Sequence, residues 1–145
     1  MIVLDANVLL YAHVPSFPQH EAAAAWIEDT LSEGKNSVAI IWQVATAFLR
    51  ISTNARIFDR PFDIATSIEC LNDLFAHPLV QQLGPTERHW GIYSSILVDQ
   101  NLTGDIVMDA HIAATAIEHG AAIASTDRNF RRFAEYVKVI NPLAI

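Results

Sequence analysis

Three aspartates, Asp5, Asp109 and Asp127, are the residues of this chain best placed to do chemistry. Asp5 follows the apolar run Ile2-Val3-Leu4, and Asp127 follows Ala122 to Thr126, so each closes a strand-like segment. In open parallel sheets, ligands collect beyond the carboxyl ends of the strands, where loops and helix N-termini meet. Either residue taken singly can equally be a turn former or a helix cap, and it is their shared placement that favours a functional reading. Asp109 is the more telling one, because Ile112, Ala113 and Ala116 lie three, four and seven positions on and share its helix face. That pattern aims Asp109 inward and puts His111, Thr115, Glu118 and His119 on the opposite, polar side. The helix dipole also favours an acid in a first turn, but it does not explain why this one heads the apolar stripe.

Inward carboxylates brought close together repel, and without compensation some take up protons. A hard divalent cation removes that cost. An oxygen-only ligand set, with no cysteine cluster and no His-x-x-x-His pair, points to Mg2+ or Mn2+ instead of zinc. Such an ion polarises a phosphoryl oxygen and acidifies and orients a water for in-line attack, so the implied chemistry is phosphodiester hydrolysis.

The elements that must position these acids can be read from pattern. Ile2–Leu4 predicts a central strand buried on both faces. Pro18 can open a helix with its body from Glu21 to Leu31, closed before Gly34. Ser37 to Ile41 predicts a second strand, followed by a helix over about 43–51 that carries Arg50 and ends at Thr53 and Asn54. Asp63 can cap a helix through about Ala76 and Thr86 another reaching about Asn101, which makes the middle of the chain mainly helical. Asp105 to His119, stopped by Gly120, is a further helix, and Ala121 to Ser125 and Val137 to Ile140 are short strands. The expected fold is α/β, a central parallel sheet of about four to five strands flanked by helices. No repeat, low-complexity tract or linker marks a second domain, so residues 1–145 are expected to form one domain.

Composition narrows the function classes. The hydrophobic fraction of 52% is high, yet no window reaches the run of about 20 apolar residues that spans a bilayer. The longest candidate, Val38 to Leu49, is broken by Gln43 and Thr46. Met1 leads straight into a strand-like run without a secretory pattern, so no membrane role and a cytoplasmic address are expected. The single cysteine, Cys70, excludes an internal disulfide and reads as a small buried hydrophobe. A net charge of −7 argues against a broadly basic nucleic-acid surface. A bound dication with a local group of arginines can still neutralise phosphates that the overall charge repels.

Beyond this patterning, Leu4-Asp5-Ala6-Asn7-Val8-Leu9-Leu10-Tyr11 resembles the opening of PIN-domain proteins. Asp109-Ala110-His111-Ile112-Ala113-Ala114 through Glu118-His119-Gly120-Ala121 is similar to the third-acid helix of VapC-type toxins, and Ser125-Thr126-Asp127-Arg128-Asn129-Phe130 to their closing acidic loop. Phe48-Leu49-Arg50-Ile51-Ser52-Thr53-Asn54 resembles one bacterial branch of that family. The matches run nearly end to end in the expected order. The resemblance implies a metal-dependent ribonuclease with an RNA substrate, usually a homodimer, inhibited by a cognate VapB-type antitoxin.

One departure bears on activity. The family commonly places an acid early in the helix after the second strand, where this chain has Gln43, Val44, Ala45, Thr46 and Ala47. Gln43 can supply a neutral oxygen and Asp105, one turn before Asp109, a replacement charge, although Asp105 can equally be a solvent-facing cap. A catalytically weakened module that keeps antitoxin binding is therefore the alternative function. Asn7 either supports Asp5 and a water on the ion or caps the following helix. Ser125 and Thr126 either order the Asp127 loop and touch a phosphate or bond their own backbone. Among the arginines, Arg128, Arg131 and Arg132 beside Asp127 are the best phosphate contacts, ahead of Arg50, Arg56 and Arg60. The six histidines lack ligand spacing and read as surface or structural groups, and Trp26, Trp42 and Trp90 as packing residues. A receiver-like phosphate acceptor at Asp5 is disfavoured by the lack of an Asp-x-Asp arrangement.

Overall fold

The computed structural model describes residues 1–144. The most apolar short runs of the chain become the strands at the centre of its sheet: β1 (Ile2–Leu4), β2 (Val38–Ile41) and β4 (Ala122–Ala124). Every residue of β1 and β2 is buried, as expected for strands covered on both faces. With β3 (Val80–Leu83) and β5 (Val139–Ile140) they form a five-stranded sheet of order β3-β2-β1-β4-β5, and every pairing is parallel. Ile2 pairs with both Val38 and Ala122, so β1 is the strand at which the order reverses. A crevice therefore opens beyond the carboxyl ends of β1 and β4, at the switch point where open sheets bind ligands.

Helices α1 (Ala6–His13), α2 (His20–Glu33), α3 (Trp42–Ser52), α4 (Ile64–Phe75), α5 (His89–Asp99) and α6 (Ile106–Glu118) flank the sheet, and a 3-10 helix covers Arg128–Phe133. The expected α/β architecture with a central parallel sheet is thus the observed one. Gly34 ends α2 in the left-handed region at φ 69, the conformation that favours glycine. Asp63 caps α4 by accepting the Thr66 N–H at 2.7 Å.

Several local expectations need correction. The middle of the chain is mainly helical, as expected, but β3 also lies there as an edge strand in which only Val80 and Leu83 are buried. Its two central glutamines hide it from any apolar count. Pro18 lies in the turn before α2, and α5 starts at His89 instead of after Thr86, whose hydroxyl accepts the Arg88 N–H at 3.2 Å. Trp26 packs against the core, whereas Trp42 and Trp90 are 54% and 71% exposed and are not core residues, each ring making only an edge contact among the described residues, with Phe75 and Tyr93 respectively. Cys70 is half-buried, at the edge of the α4 face that packs on the core through Ser67, Leu71 and Leu74. No described helix is long and apolar enough to cross a membrane.

Candidate active site

Asp5 stands where β1 ends and α1 begins. Its N–H donates to the Ala124 carbonyl at 2.9 Å, the last link between β1 and β4. Its side chain, not that of Asn7, caps α1: Oδ1 accepts the Ala6 N–H at 2.7 Å. Oδ2 accepts the Ser125 hydroxyl at 2.7 Å and the Asn7 amide at 3.0 Å. Burial pushes the Asp5 carboxyl above its ordinary value, and the negative charge of Asp127 adds to that. The hydrogen bonds from Ser125, Ala6 and Asn7 pull it back.

Ser125 and Asn7 tie the two strand ends together. The Ser125 hydroxyl oxygen also accepts the Asp127 N–H at 3.0 Å and the Asn7 amide at 3.3 Å. The Asn7 carbonyl oxygen accepts the Thr126 N–H at 3.3 Å, so Thr126 contributes backbone to this network. Asp127 Oδ1 accepts the Asn129 N–H at 2.8 Å and caps the 3-10 helix. Buried Phe130 and Phe133 anchor that helix from beneath, with ring centroids 5.7 Å apart.

Asp109 occupies the first turn of α6. Burial, followed by the charges of Asp5, Asp127 and Asp105, raises its carboxyl from 3.8 to about 6, against a smaller opposing pull from Arg132. Asp105 sits just before α6 and makes no side-chain cap. Asp5, Asp105 and Asp109 line one cavity of about 460 Å³ together with Gln43 and Arg50 of α3. The Gln43 amide reaches the Met108 carbonyl of α6 at 3.4 Å. Asp127 lines a separate cavity of about 160 Å³ with Ser125, Thr126, Arg128 and Arg131.

Four carboxylates from three segments thus gather around the switch point, with the charges of Asp5, Asp127 and Asp105 all raising Asp109. Among the described residues, no three His, Cys, Asp or Glu side chains close tightly enough to clasp an ion unaided. The donor set still fits a hard divalent cation, since it is all oxygen, inward and short of counter-charge. A cation that keeps several waters asks for only one or two direct carboxylates, which relaxes the spacing required.

The raised Asp109 carboxyl links stability to pH. Below 3.8 the side chain is protonated folded and unfolded, and it behaves much like asparagine. Between 3.8 and about 6 the folded state keeps a proton that the unfolded state has lost, so stability falls as pH rises through that window. In chelator, Asp109→Asn is expected to match the parent near pH 3.5 and to exceed it above pH 6.5. Two pH units correspond to about 3 kcal/mol, discounted to about 1 kcal/mol because the group is half-exposed. Urea midpoints of both proteins across pH 3.5 to 7.5 would show it, and a constant gap would refute it.

Away from the acids, the far side of α6 departs from the amphipathic pattern. Thr115 and Glu118 are buried and His111 is half-buried, because α5 packs over the side that the sequence marks as polar. The Glu118 carboxylate lies 3.2 Å from His89 Nδ1 and accepts the Thr86 N–H at 3.0 Å. His89 Nε2 and His111 Nδ1 are 2.7 Å apart and share a hydrogen bond, and Arg88 donates to the Glu118 carbonyl. This polar seam orients α6, and no spacing in the sequence signals it, since His89 and Glu118 are 29 residues apart.

A parallel sheet with acids at its reversal point defines a class of protein, and comparison with known proteins agrees. The chain belongs to the PIN-domain family, whose model, described as PIN domain, matches residues 2–136. Within that family its relatives are VapC ribonucleases. It is 36% identical to ribonuclease VapC33 of Mycobacterium tuberculosis over 143 residues, covering 99% of each chain. It is 37% identical to ribonuclease VapC37 of the same organism over 133 residues, covering 92% of each. The same fold occurs in VapBC2 from Rickettsia felis bound to a DNA fragment from their promoter, with a TM-score of 0.71 at 17% identity and coverage of 97% and 98%. It also occurs in Mycobacterium tuberculosis VapC20, a sarcin-ricin loop cleaving toxin, with a TM-score of 0.68 at 14% identity and coverage of 97% and 100%.

Proposed function

We propose that this chain is a Mg2+- or Mn2+-dependent endoribonuclease and the toxin of a toxin-antitoxin pair, acting as one PIN domain over residues 1–145. The gathering of Asp5, Asp105 and Asp109 in one cavity at the sheet's switch point, with Asp127 joined to Asp5 through Ser125, carries this reading, because a cation stabilises the charged form of such a cluster. When bound, the ion supplies Lewis acidity to the phosphoryl group and to the attacking water.

The protein's own residues do the positioning. Asp5 is held by Ser125, Asn7 and the Ala6 N–H, so its carboxylate is fixed before any ligand arrives. Asp109, raised to about 6 without an ion by burial and the neighbouring acids, is the carboxyl that gains most from a cation, which would hold it in its charged form. Asp127, fixed through Asn129 and Ser125, and Asp105 complete the ligand set, with Gln43 a neutral neighbour. Arg128, beside Asp127, is placed for a substrate phosphate, with Thr126 at the same rim.

The partner is a VapB-type antitoxin, supported by the full-length similarity to VapC relatives and by the VapBC assemblies that share the fold. A homodimer would cover Trp42, a large apolar side chain exposed on α3 beside Phe75 of α4. The site of action is the cytoplasm, where RNA and antitoxin meet. The neutral stretch from Gln43 to Ala47 favours a second reading, an antitoxin-binding module with weakened catalysis.

Metal removal tests the choice. The purified protein is expected to cut a mixed transcript pool in Mg2+ or Mn2+, to stop in EDTA and to recover when the ion is returned. Cleavage undiminished by EDTA would overturn the metal-dependent mechanism. Tight antitoxin binding without cleavage in either ion would establish the weakened module.

A further inference from the structure

The 460 Å³ cavity is electrically two-sided. Asp5, Asp105 and Asp109 form one wall, whereas α3 presents Gln43, Ala47 and the cation of Arg50 on the other. The Arg50 guanidinium makes no hydrogen bond or ion pair among the described residues, and the residue is exposed at the end of α3. Apolar side chains of Val44 and Ala47 on α3 and of Ile112 on α6 complete the lining. A volume in the range of small-ligand clefts, apolar walls and a cation at one end suit one flat ring with an anion attached. Among RNA segments, unpaired bases are the ones that can be splayed out into such a space.

We propose that this cavity seats one unpaired nucleobase of the substrate RNA against Ala47 and Ile112, while Arg50 binds the phosphate one step away from the bond to be cut. The inference rests on the ribonuclease reading and adds a specificity subsite to it. Arg50 supplies a positive charge on the α3 side of the acids, opposite the Arg128 side, against the net charge of −7 that repels an approaching strand. Gln43, at the junction of the two walls, is placed to hydrogen-bond the edge of the seated base. A leucine in place of Ala47 occupies the space the ring needs without altering any charge.

The test is binding of fluorescent single-stranded RNA hexamers in Ca2+, together with cut-site mapping on a transcript pool in Mg2+. Arg50→Ala is expected to weaken binding about tenfold and to lower the slope of log affinity against log salt by about 0.7, the value for one phosphate contact on a single strand. Arg50→Lys should keep the slope. Ala47→Leu should weaken binding about tenfold with the slope unchanged, and should change which base flanks the cut. Melting curves and Mn2+ affinity should match the parent for all three proteins, which separates the subsite from folding and from the acids. If the parent cuts RNA while Arg50→Ala and Ala47→Leu bind and cut as it does, the subsite is wrong and the ribonuclease reading stands. If the parent binds hexamers with these sensitivities but cuts nothing, the subsite stands and the ribonuclease reading fails. A parent that binds no hexamer overturns the subsite.

Discussion

Replacing Asp109 by asparagine is expected to lower RNA cleavage by at least about a hundredfold, the scale reported for losing one preorganised electrostatic group from an active site. The substitution keeps the size and shape of the side chain, so α6 should hold its place. It removes the carboxylate that feels the charges of Asp5, Asp127 and Asp105. The same change relieves like-charge repulsion in the ion-free protein, so lost activity should come with equal or greater stability in chelator. That opposite movement of activity and stability separates a functional acid from a structural one. Single-turnover cleavage and urea melts on the same preparation would measure both, and an Asp109→Asn protein that cleaves like its parent would remove Asp109 from the mechanism.

Phe130→Ala is expected to destabilise the fold by about 3–5 kcal/mol, the usual range for deleting a fully buried aromatic ring. The ring is wholly buried against Phe133, within the 3-10 helix that Asp127 caps. For a chain of this size the melting midpoint should fall by roughly 10 °C. A cavity beneath that helix also loosens the support of Asp127, so kcat should drop well below the melting range. Leu71→Ala on α4, away from the acids, provides the comparison: a loss of about 2–5 kcal/mol with kcat unchanged. Equal kcat values for both variants, measured at 20 °C, would show that the Asp127 loop does not depend on its aromatic anchor.

Elements with a strong local signature were readable in advance. The runs Ile2–Leu4 and Val38–Ile41 are apolar without interruption, and only strands covered on both faces tolerate that. Gly34 and Asp63 acted at their helix ends as their chemistry demands. Asp5, Asp109 and Asp127 could be singled out because each stands at a point where pattern changes, from strand to loop or from loop to helix. β3 was not readable, since an edge strand needs few apolar residues and Gln81 and Gln82 face outward.

By itself, then, the amino-acid order determined the α/β class, the parallel arrangement and the identity of the acids at its rim. Tertiary structure alone decided how those acids share space: Asp105 joins Asp5 and Asp109 in one cavity, and Asp127 lies in a separate one. It also decided that Arg50 faces the acids across that cavity, and that Thr115 and Glu118 are buried under α5. The physical reason is that periodicity reports which side of an element is apolar, a property of neighbours in the chain. Burial, electrostatic coupling and a shifted carboxyl depend on what packs against that element from tens of residues away, and no local pattern carries that information.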